Sequence, residues 1–402
     1  MRDDWREVRL SDVVDIYDGP HATPQKTATG PWFLSISSLR NGRLDLTQSA
    51  HVGEEDFATW TRRVQPRRND LLFSYETRLG EAALMPEGVL ACLGRRMGLL
   101  RLRDPHVDPR FLLYAYLSPQ FQAIIERRAV RGATVDRIPL NEMGKWTVRL
   151  PARDTQNAIA EVLAALDDAA DGTEVVRTRA TALSASLLQH ASVTEMQIPL
   201  SKTAAINKGL SYKGAHLADA GMPMVNLANA ATFGGFKRTG WKYYTGPYQP
   251  RHVAHGGDLL VANTDLTWKL EALGWPMLLP DDVPEALFSH HVTRIDFAPE
   301  WRHLRLPVWA HLFTTEARQR VEGMAHGTTV AALPKEALTD LEIPVLPADA
   351  PVLRQAEALL QRAWAAERES EALVRLRDAL LPGLMSGEIR VGEAEERVEE
   401  VV

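Results

Sequence analysis

The sequence predicts an α+β fold in which two pseudo-symmetric mixed α/β domains are separated by two long antiparallel helices, a coiled-coil-like spacer. The first observation is an internal repeat: residues 131–151 contain Arg-Gly-Ala-Thr-Val-Asp-Arg-Ile-Pro, and residues 326–347 contain His-Gly-Thr-Thr-Val-Ala-Ala-Leu-Pro. The second is a long Ala- and Leu-rich stretch after each phrase, at 154–190 and 351–381. The third is the length of 402 residues, which exceeds what one small core accommodates. Two copies of one unit indicate an internal pseudo-twofold axis.

The repeat divides the chain into five predicted segments. The two domains occupy 1–152 and 192–348, and the helical segments occupy 153–191 and 349–390. The acidic residues 391–402 are predicted to form a disordered tail.

Within each domain the same elements are predicted in the same order. Residues 8–19 and 198–209 each read as a short strand, one or two helical turns and a glycine exit. Strands are then predicted at 32–36, 69–73 and 97–102 in the first domain, and at 224–227, 257–261 and 292–297 in the second. An amphipathic helix over 109–128 has a counterpart at about 301–322.

Apolar residues recur at helical spacing in both long stretches. The first stripe contains Ile159, Leu163 and Leu166, and the second contains Leu353, Leu360 and Trp364. One helix cannot bury such a stripe against itself, so the two helices should pair antiparallel. Gly172 stands in the middle of the first helix, and Pro382-Gly383 is predicted to end the second.

Composition excludes several classes of protein. The one cysteine, Cys92, rules out an intramolecular disulfide and a thiolate zinc cluster. No apolar run is long enough for a membrane span, and the first residues lack an apolar signal region, so a cytoplasmic protein is expected. The net charge is −6, yet residues 1–153 carry 23 Lys and Arg against 19 Asp and Glu, whereas residues 192–350 carry 14 against 16. Such a chain should bind DNA weakly by itself, since phosphate contacts supply most of the affinity.

Several phrases of the sequence follow the pattern of a known family. The stretch from Gln156 to Asp167 reads Gln-x-x-Ile-Ala-x-x-Leu-x-x-Leu-Asp, and Leu150-Pro151 precedes it. In both features the chain resembles the DNA specificity (S) subunits of type I restriction–modification systems. Residues 379–391, Ala-Leu-Leu-Pro-Gly-Leu-Met-Ser-Gly-Glu-Ile-Arg-Val, resemble the family's C-terminal phrase. The opening residues 5–19 and the phrase 70–86 also fit, so that the resemblance covers about residues 5–391. The second helical repeat, around Leu353, departs from the pattern because it lacks the Ile-Ala pair.

The resemblance implies a non-catalytic subunit with two target recognition domains, each of which reads half of a split site on double-stranded DNA. The helices would fix the gap between the half-sites. Two adenine methyltransferase subunits, and with them restriction subunits, would be the protein partners. S-adenosylmethionine, ATP and Mg would bind those partners and not this chain. The helical stripes, residues Ile159, Leu163, Leu166, Leu353, Leu360 and Trp364, are the candidates for partner binding.

Candidate DNA-binding residues are the basic, aromatic and amide side chains of the polar loops. Arg and Lys can meet phosphates or guanine, and Asn can pair with adenine. In the first domain the candidates are Arg62, Arg63, Arg67, Arg68, Tyr75, Arg78, Arg131, Thr134 and Arg137. In the second they are Ser211, Tyr212, Lys213, Lys237, Arg238, Lys242, Tyr243, Tyr244, Asn263, Thr264, Lys269, Thr328 and Thr329.

Motifs of catalysis are missing from the sequence. It contains no Pro-Pro pair for a methyltransferase loop, no phosphate-binding loop and no His-Glu-x-x-His. Pro280-Asp281-Asp282 is interpreted as a turn, and His290-His291 as one buried and one exposed strand residue. The alternative to DNA recognition is a helical scaffold that joins two copies of a protein partner without reading DNA. The mildly acidic second domain favours that alternative.

Overall fold

The structure, a computed structural model, describes residues 5–20, 22–132, 135–192, 196–266 and 269–400. The chain divides into two compact units, residues 1–171 with 370–402 (unit 1) and residues 172–369 (unit 2). Each unit therefore combines one globular part with half of each long helix, whereas the sequence suggested separate helical segments. None of the described helices is long and apolar enough to cross a membrane.

The elements of the first half precede and include the first long helix. The strands are β1 (Arg6–Arg9), β2 (Val14–Asp18), β3 (Lys26–Phe33), β4 (Leu39–Arg40), β5 (Arg43–Leu44), β6 (Ala50–Val52), β7 (Leu71–Ser74), β8 (Ala82–Leu84), β9 (Ala91–Cys92), β10 (Met97–Leu102) and β11 (Thr147–Leu150). The helices are α1 (Leu10–Val13), α2 (Glu54–Trp60), α3 (Pro109–Leu117), α4 (Pro119–Arg128), α5 (Leu140–Met143) and the long α6 (Arg153–Ala191).

The second half has a similar, though not identical, order of elements. Its strands are β12 (Gln197–Pro199), β13 (Ala204–Lys208), β14 (Leu217–Ala218), β15 (Met222–Val225), β16 (Lys242–Tyr244), β17 (Val253–His255), β18 (Leu259–Ala262), β19 (Thr264–Asp265), β20 (Pro276–Leu278), β21 (Glu285–Phe288), β22 (Val292–Phe297), β23 (Ala331–Ala332) and β24 (Glu342–Pro344). Its helices are α7 (Arg305–His311), α8 (Thr315–Met324), α9 (Glu336–Thr339), the long α10 (Pro351–Ser386) and α11 (Val391–Glu399).

Sheet topology confirms the internal repeat. Unit 1 has a four-stranded sheet in the order β2-β10-β7-β8, and unit 2 has one in the order β13-β22-β18-β20. In both units the opening strand pairs antiparallel with the last strand, β1 with β11 and β12 with β24. A parallel pair also recurs, β3 with β9 and β15 with β21. These shared pairings show that the two halves are copies of one fold.

Several local predictions were wrong in detail. The helix predicted over 109–128 is broken into α3 and α4, because the Ser118 hydroxyl caps α4 and Pro119 opens its first turn. Each opening phrase also contains a second strand, β2 or β13, before its glycine, where only helical turns were predicted. Pro382 lies inside α10 instead of ending it. The helix continues past Pro382 because Leu384 is buried in the core. The side-chain amide of Gln120 also donates to the Pro382 carbonyl at 2.9 Å.

The long helices pair antiparallel within each unit. In unit 1, Asp167 of α6 contacts Arg377 of α10, and Ala170 contacts Ser370. In unit 2, the Ser184 hydroxyl of α6 donates to the carbonyl of Ala356 in α10 at 3.0 Å. Sequence numbers rise along one helix as they fall along the other, as an antiparallel pair requires.

The apolar stripes serve this internal packing. Ile159, Leu163 and Leu166 are buried in the core of unit 1. In unit 2, Leu360 and Trp364 are buried and Leu353 packs partly buried against the same core. Assigning these residues to partner binding was therefore wrong for the five buried side chains, because the pairing of the helices already removes them from solvent.

The C-terminal segment differs from the predicted disordered tail. Residues Val391–Glu399 form α11, and the Ala394 side chain is fully buried in the core of unit 1. The amphipathic pattern of the segment explains this, because Ala394, Val391 and Val398 pack on the core while the glutamates face solvent.

Candidate nucleic-acid interface

Each unit brings three polar segments together at the same place in its fold, which we call the loop junction. In unit 1 the junction contains residues 75–78, 94–96 and the described residues 130–132 and 135–138. The Tyr75 amide donates to the Arg96 carbonyl at 3.1 Å, and the Ile138 amide donates to the Tyr75 carbonyl at 2.8 Å. Residues 75–78 follow β7, and residues 94–96 connect β9 to β10. Residues 130–132 and 135–138 include the described start of the first repeated phrase, which begins Arg-Gly-Ala-Thr, and we call this segment and its counterpart at 326–333 the Gly-Thr loop.

Unit 2 repeats these contacts with residues 263–266, 289–291 and 326–333. The Asn263 amide donates to the His291 carbonyl at 3.0 Å, and the Leu333 amide donates to the Asn263 carbonyl at 2.9 Å. Asn263 therefore corresponds to Tyr75, and His291 corresponds to Arg96. The loops of both junctions lie at the ends of strands. Binding residues concentrate in loops that a rigid scaffold positions in this way.

A glycine is required beside each junction. Gly19 and Gly209, at the ends of β2 and β13, donate their amides to the carbonyls of Met97 and Val292. A Cβ on Gly209 would lie 2.1 Å from the Ser289 carbonyl oxygen, and a Cβ on Gly19 would lie 2.4 Å from that of Gly94. In both units the glycine after the strand therefore packs closely against the backbone of the turn at 94–96 or 289–291, and this contact holds the turn in place.

We expect Gly209→Ala to displace the turn that carries His290 and His291. The added carbon meets backbone atoms that cannot rotate away, and overpacking of this kind costs about 1–3 kcal/mol. Urea unfolding should show a lower midpoint for this variant. Gly172→Ala is the control, because nothing lies within 4 Å of its Cβ position in the middle of α6. That change should stabilise the protein by up to about 1 kcal/mol. Equal midpoints for the two variants would contradict the close approach.

The candidates in the unit 1 junction differ in how accessible they are. Tyr75 is 5% exposed, so its ring belongs to the core, and burial raises the pKa of its hydroxyl. The Arg78 guanidinium is held by Glu81 at 2.9 Å and by the Ile36 carbonyl at 3.1 Å. Arg131 is exposed and pairs with Asp136, and Arg137 is exposed. Thr134 lies outside the described residues.

Sequence reasoning missed the turn residues of this junction. Arg95 is exposed, and within the described residues neither Arg95 nor Arg137 forms an ion pair. Arg96, at a φ of 73°, lies 3.3 Å from the Glu76 carboxylate and donates to the Thr77 hydroxyl. Aligning Gly94-Arg95-Arg96-Met97 with Ser289-His290-His291-Val292 would have shown that both repeats place a basic pair at this turn.

The arginine cluster at 62–68 extends along the four-stranded sheet and does not form one patch. Arg63 pairs with Asp18 at 2.7 Å, near the junction end of β2. Arg68 pairs with Glu87 at 2.8 Å, and the Arg67 amide donates to Asp70, which precedes β7 at the end away from Tyr75. Arg62 and Arg67 are exposed and lack ion-pair partners among the described residues. Both side chains are therefore accessible, and each could contact a phosphate.

The junction of unit 2 opens into a pocket of about 350 Å³. The side-chain amide of Asn263 donates to the His290 carbonyl at 3.1 Å and to the Thr293 hydroxyl at 2.9 Å. The Thr264 hydroxyl and His291 Nδ1 are 2.9 Å apart. His290 and His291 are both partly exposed with ring centroids 3.9 Å apart, so the expectation of one buried and one exposed histidine was wrong. They lie in a turn between β21 and β22, where the alternation of a strand does not apply.

The basic and aromatic residues around β16 are largely engaged in internal contacts. Arg238 donates to Asp282 and Glu367. Burial lowers the pKa of its guanidinium, but the hydrogen bonds to these two carboxylates raise it by more. Lys242 donates to the Tyr212 hydroxyl at 2.7 Å. Tyr244 is buried, so a contact of its ring with DNA is excluded in this conformation. Tyr243 is partly exposed.

The remaining candidates of unit 2 are exposed at the surface. They are Ser211, Lys213, Lys237, Lys269, Thr328 and Thr329. Asp281 and Asp282, in the predicted turn, pair with Arg368 and Arg238. Across the described ranges, no group of three or more His, Cys, Asp or Glu side chains could hold a metal ion.

Comparison with known proteins gives one family match and several similar solved structures. Residues 2–177 match the sequence model of the family described as the type I restriction modification DNA specificity domain. The type I restriction–modification system S subunit from M. genitalium has a TM-score of 0.56 at 16% identity, covering 94% of this chain and 96% of that chain. At this identity the similarity shows a shared fold.

Two further solved structures align over nearly the whole chain with lower scores. A structure of type I R-M complex assembly and conformational transition has a TM-score of 0.46 at 17% identity, covering 96% of this chain and 99% of that chain. The HsdS subunit from Thermoanaerobacter tengcongensis has a TM-score of 0.37 at 17% identity, covering 96% and 98%. Among curated proteins, none matches the sequence significantly.

Proposed function

We propose that this protein is the DNA specificity subunit of a type I restriction–modification complex, because residues 2–177 match the model of the type I restriction modification DNA specificity domain and the chain shares its fold with an S subunit. Its role is recognition, and each unit reads one half of a split site on double-stranded DNA. The observation that carries the proposal is the repeated loop junction, in which corresponding backbone hydrogen bonds place a basic pair of residues at the same turn of both units.

The chemistry of the junctions supports contact with nucleic acid. In unit 1, Arg95 and Arg137 present guanidinium groups that can bind phosphate or the guanine edge. In unit 2, Lys208, His290, His291 and Lys335 line a pocket without any acidic side chain. The slight excess of acid in the sequence of this domain therefore does not extend to its junction.

We further propose that two methyltransferase subunits and the restriction subunits assemble on this chain. They would bind S-adenosylmethionine, ATP and Mg, and the complex would act in the cytoplasm. Since the apolar stripes are buried, partner contact falls to side chains that remain exposed on the long helices. The large apolar ones are Val175 and Leu183 on α6 and Val374 on α10.

The test begins with the chain co-expressed with its methyltransferase subunit. Mapping methylated adenines in the host genome should yield a split motif, and a duplex carrying that motif becomes the probe for fluorescence anisotropy. We expect the double variant Arg95→Glu, Arg137→Glu to bind this duplex more weakly, with the slope of log affinity against log salt reduced by about 2, one for each lost phosphate contact.

The matched control changes the same charges elsewhere. Arg9 in β1 and Arg40 in β4 are exposed outside the loop junction and the long helices, and their replacement by Glu should leave the affinity and the salt slope of the complex unchanged. If the complex bound the duplex identically with and without Arg95 and Arg137, the junction would not be the recognition surface. A complex that forms but binds no DNA would favour the scaffold alternative.

A further inference from the structure

We propose that the pocket of unit 2 binds a phosphate group, and that His290 and His291 make this binding depend on pH. The proposal rests on the proposed function for the source of that phosphate, the DNA backbone. The site itself is argued from the pocket and does not depend on which half-site the unit reads.

The charge of the pocket is the first argument. Two lysines and two histidines line it, together with Asn263, Thr264, Thr293 and apolar side chains, and no Asp or Glu does. Lys208 and Lys335 are exposed and form no ion pair within the described ranges. In a domain with 14 Lys and Arg against 16 Asp and Glu, cations gathered without acids indicate an anionic ligand.

An unsatisfied polar atom is the second argument. The Nδ1 atom of His290 is buried and has no hydrogen-bond partner among the described residues. A buried polar atom without a partner costs about 1–3 kcal/mol, and such atoms in native proteins call for an explanation. His290 is one of the residues that line the pocket, and a rotation of its ring toward a bound phosphate would give the Nδ1 hydrogen an oxygen acceptor.

The surroundings of the His291 imidazole account for the pH dependence. Burial, the adjacent His290 and the ammonium groups of Lys242 and Lys208 lower the pKa of His291. Lys335 adds a further cation at the edge of the pocket, and the Tyr212 hydroxyl accepts a hydrogen bond from Lys242. These neighbours therefore favour the uncharged His291 ring. A bound phosphate offsets the repulsion and favours its protonated form, so binding takes up protons and strengthens as pH falls.

The equivalent turn of unit 1 provides a comparison within the same chain. Arg95 and Arg96 occupy the places of His290 and His291, and guanidinium groups stay protonated at every physiological pH. A pH-sensitive phosphate contact is therefore expected in unit 2 alone. Exchanging the basic pairs between the repeats should exchange this property.

The first experiment measures binding of the motif duplex by the complex of this chain with its methyltransferase, at about pH 6 and about pH 8, on either side of the ordinary histidine pKa. We expect affinity at the lower pH to be higher by about three- to tenfold, the effect of partial uptake of one proton per site. The variant His290→Arg, His291→Arg should bind at both pH values with this dependence lost. His290→Gln, His291→Gln, a smaller change, should bind more weakly and also lose it. His303→Gln, elsewhere in unit 2, should behave as the parent.

The second experiment uses the full chain without DNA and inorganic phosphate as the probe. Nitrogen NMR of histidine-labelled protein should show saturable shifts of the His290 and His291 resonances and a raised pKa for His291 on adding phosphate. Phosphate should also compete with the duplex if the backbone is the natural source. Shifts without competition would support the site but assign it to a free phosphate.

The outcomes separate this proposal from the proposed function. If DNA binds with the same affinity at both pH values and phosphate leaves both resonances unmoved, the pocket is not a phosphate site, although DNA recognition stands. A pH dependence that persists in His290→Arg, His291→Arg would equally overturn it. If no duplex binds at any pH, the proposed function fails, and the phosphate titration still decides the pocket.

Discussion

Replacing Leu163 with alanine is expected to destabilise unit 1 by about 2–5 kcal/mol. Leu163 is fully buried, and it shares a core with Leu380 and Leu384 of α10. The truncation removes apolar area from the core and leaves a cavity that the paired helices cannot close. Leu360→Ala should have an effect of the same size in unit 2, where Leu360 is 3% exposed among residues of α6 and α7.

Urea unfolding followed by circular dichroism measures both effects. A chain with two compact units need not unfold in one step, so each variant should lower the midpoint of the transition that belongs to its own unit. Leu183→Ala is the control, because this leucine is 50% exposed on α6 and its loss should change stability by less than about 0.5 kcal/mol. A Leu163→Ala midpoint equal to that of Leu183→Ala would show that the stripe does not form the core.

The elements that sequence reasoning recovered are those with a strong local signal. The strand predicted at 97–102 coincides with β10, and that at 292–297 coincides with β22, because each is a run of apolar and β-favouring residues. The helix stripe predicted the core residues for the same reason, since spacing of three and four residues places them on one face. The internal repeat predicted the shared topology of the two units.

The elements that sequence reasoning missed depend on contacts distant in the chain. Tyr75 carries a polar group in a polar loop, but its burial is decided by neighbours from other strands. The residues next to Arg238 in the sequence give no sign of its ion pairs, because Asp282 and Glu367 are brought to it only by the fold. The basic turn pairs were overlooked because two residues at a turn carry little pattern of their own. Their significance comes from the backbone hydrogen bonds that place them beside the Gly-Thr loop.

Replacing Arg377 with alanine is expected to destabilise unit 1 by about 3–5 kcal/mol, because the buried carboxylate of Asp167 loses its ion-pair partner. Arg377 donates to the Asp167 carboxylate at 3.0 Å, and both side chains are less than 15% exposed, at 12% and 14%. The Tyr114 hydroxyl donates to the other oxygen of Asp167 at 2.7 Å. Arg375, with a side chain that is 70% exposed, offers the control on the same helix, and its removal should cost less than about 1 kcal/mol.

The effect should depend on pH in a defined direction. Burial raises the pKa of Asp167 above its ordinary value, although Arg377 and Tyr114 oppose the rise. The folded protein therefore holds this proton more tightly than the unfolded chain does. Stability is lost as pH rises from the ordinary carboxyl value through the raised one. Without Arg377 the pKa rises further, so the destabilisation of Arg377→Ala should be larger at about pH 7 than at about pH 4.

A double variant separates the stranded charge from the lost packing of the arginine stem. If the carboxylate is the cause, Arg377→Ala combined with Asp167→Asn should recover most of the lost stability, since an amide can stay buried without a countercharge. The recovered variant should also lose the difference between the two pH values. Should it instead remain as unstable as Arg377→Ala at both, the arginine would act through its methylene packing against the helix pair. The ionic contact between α6 and α10 would then contribute little to holding unit 1 together.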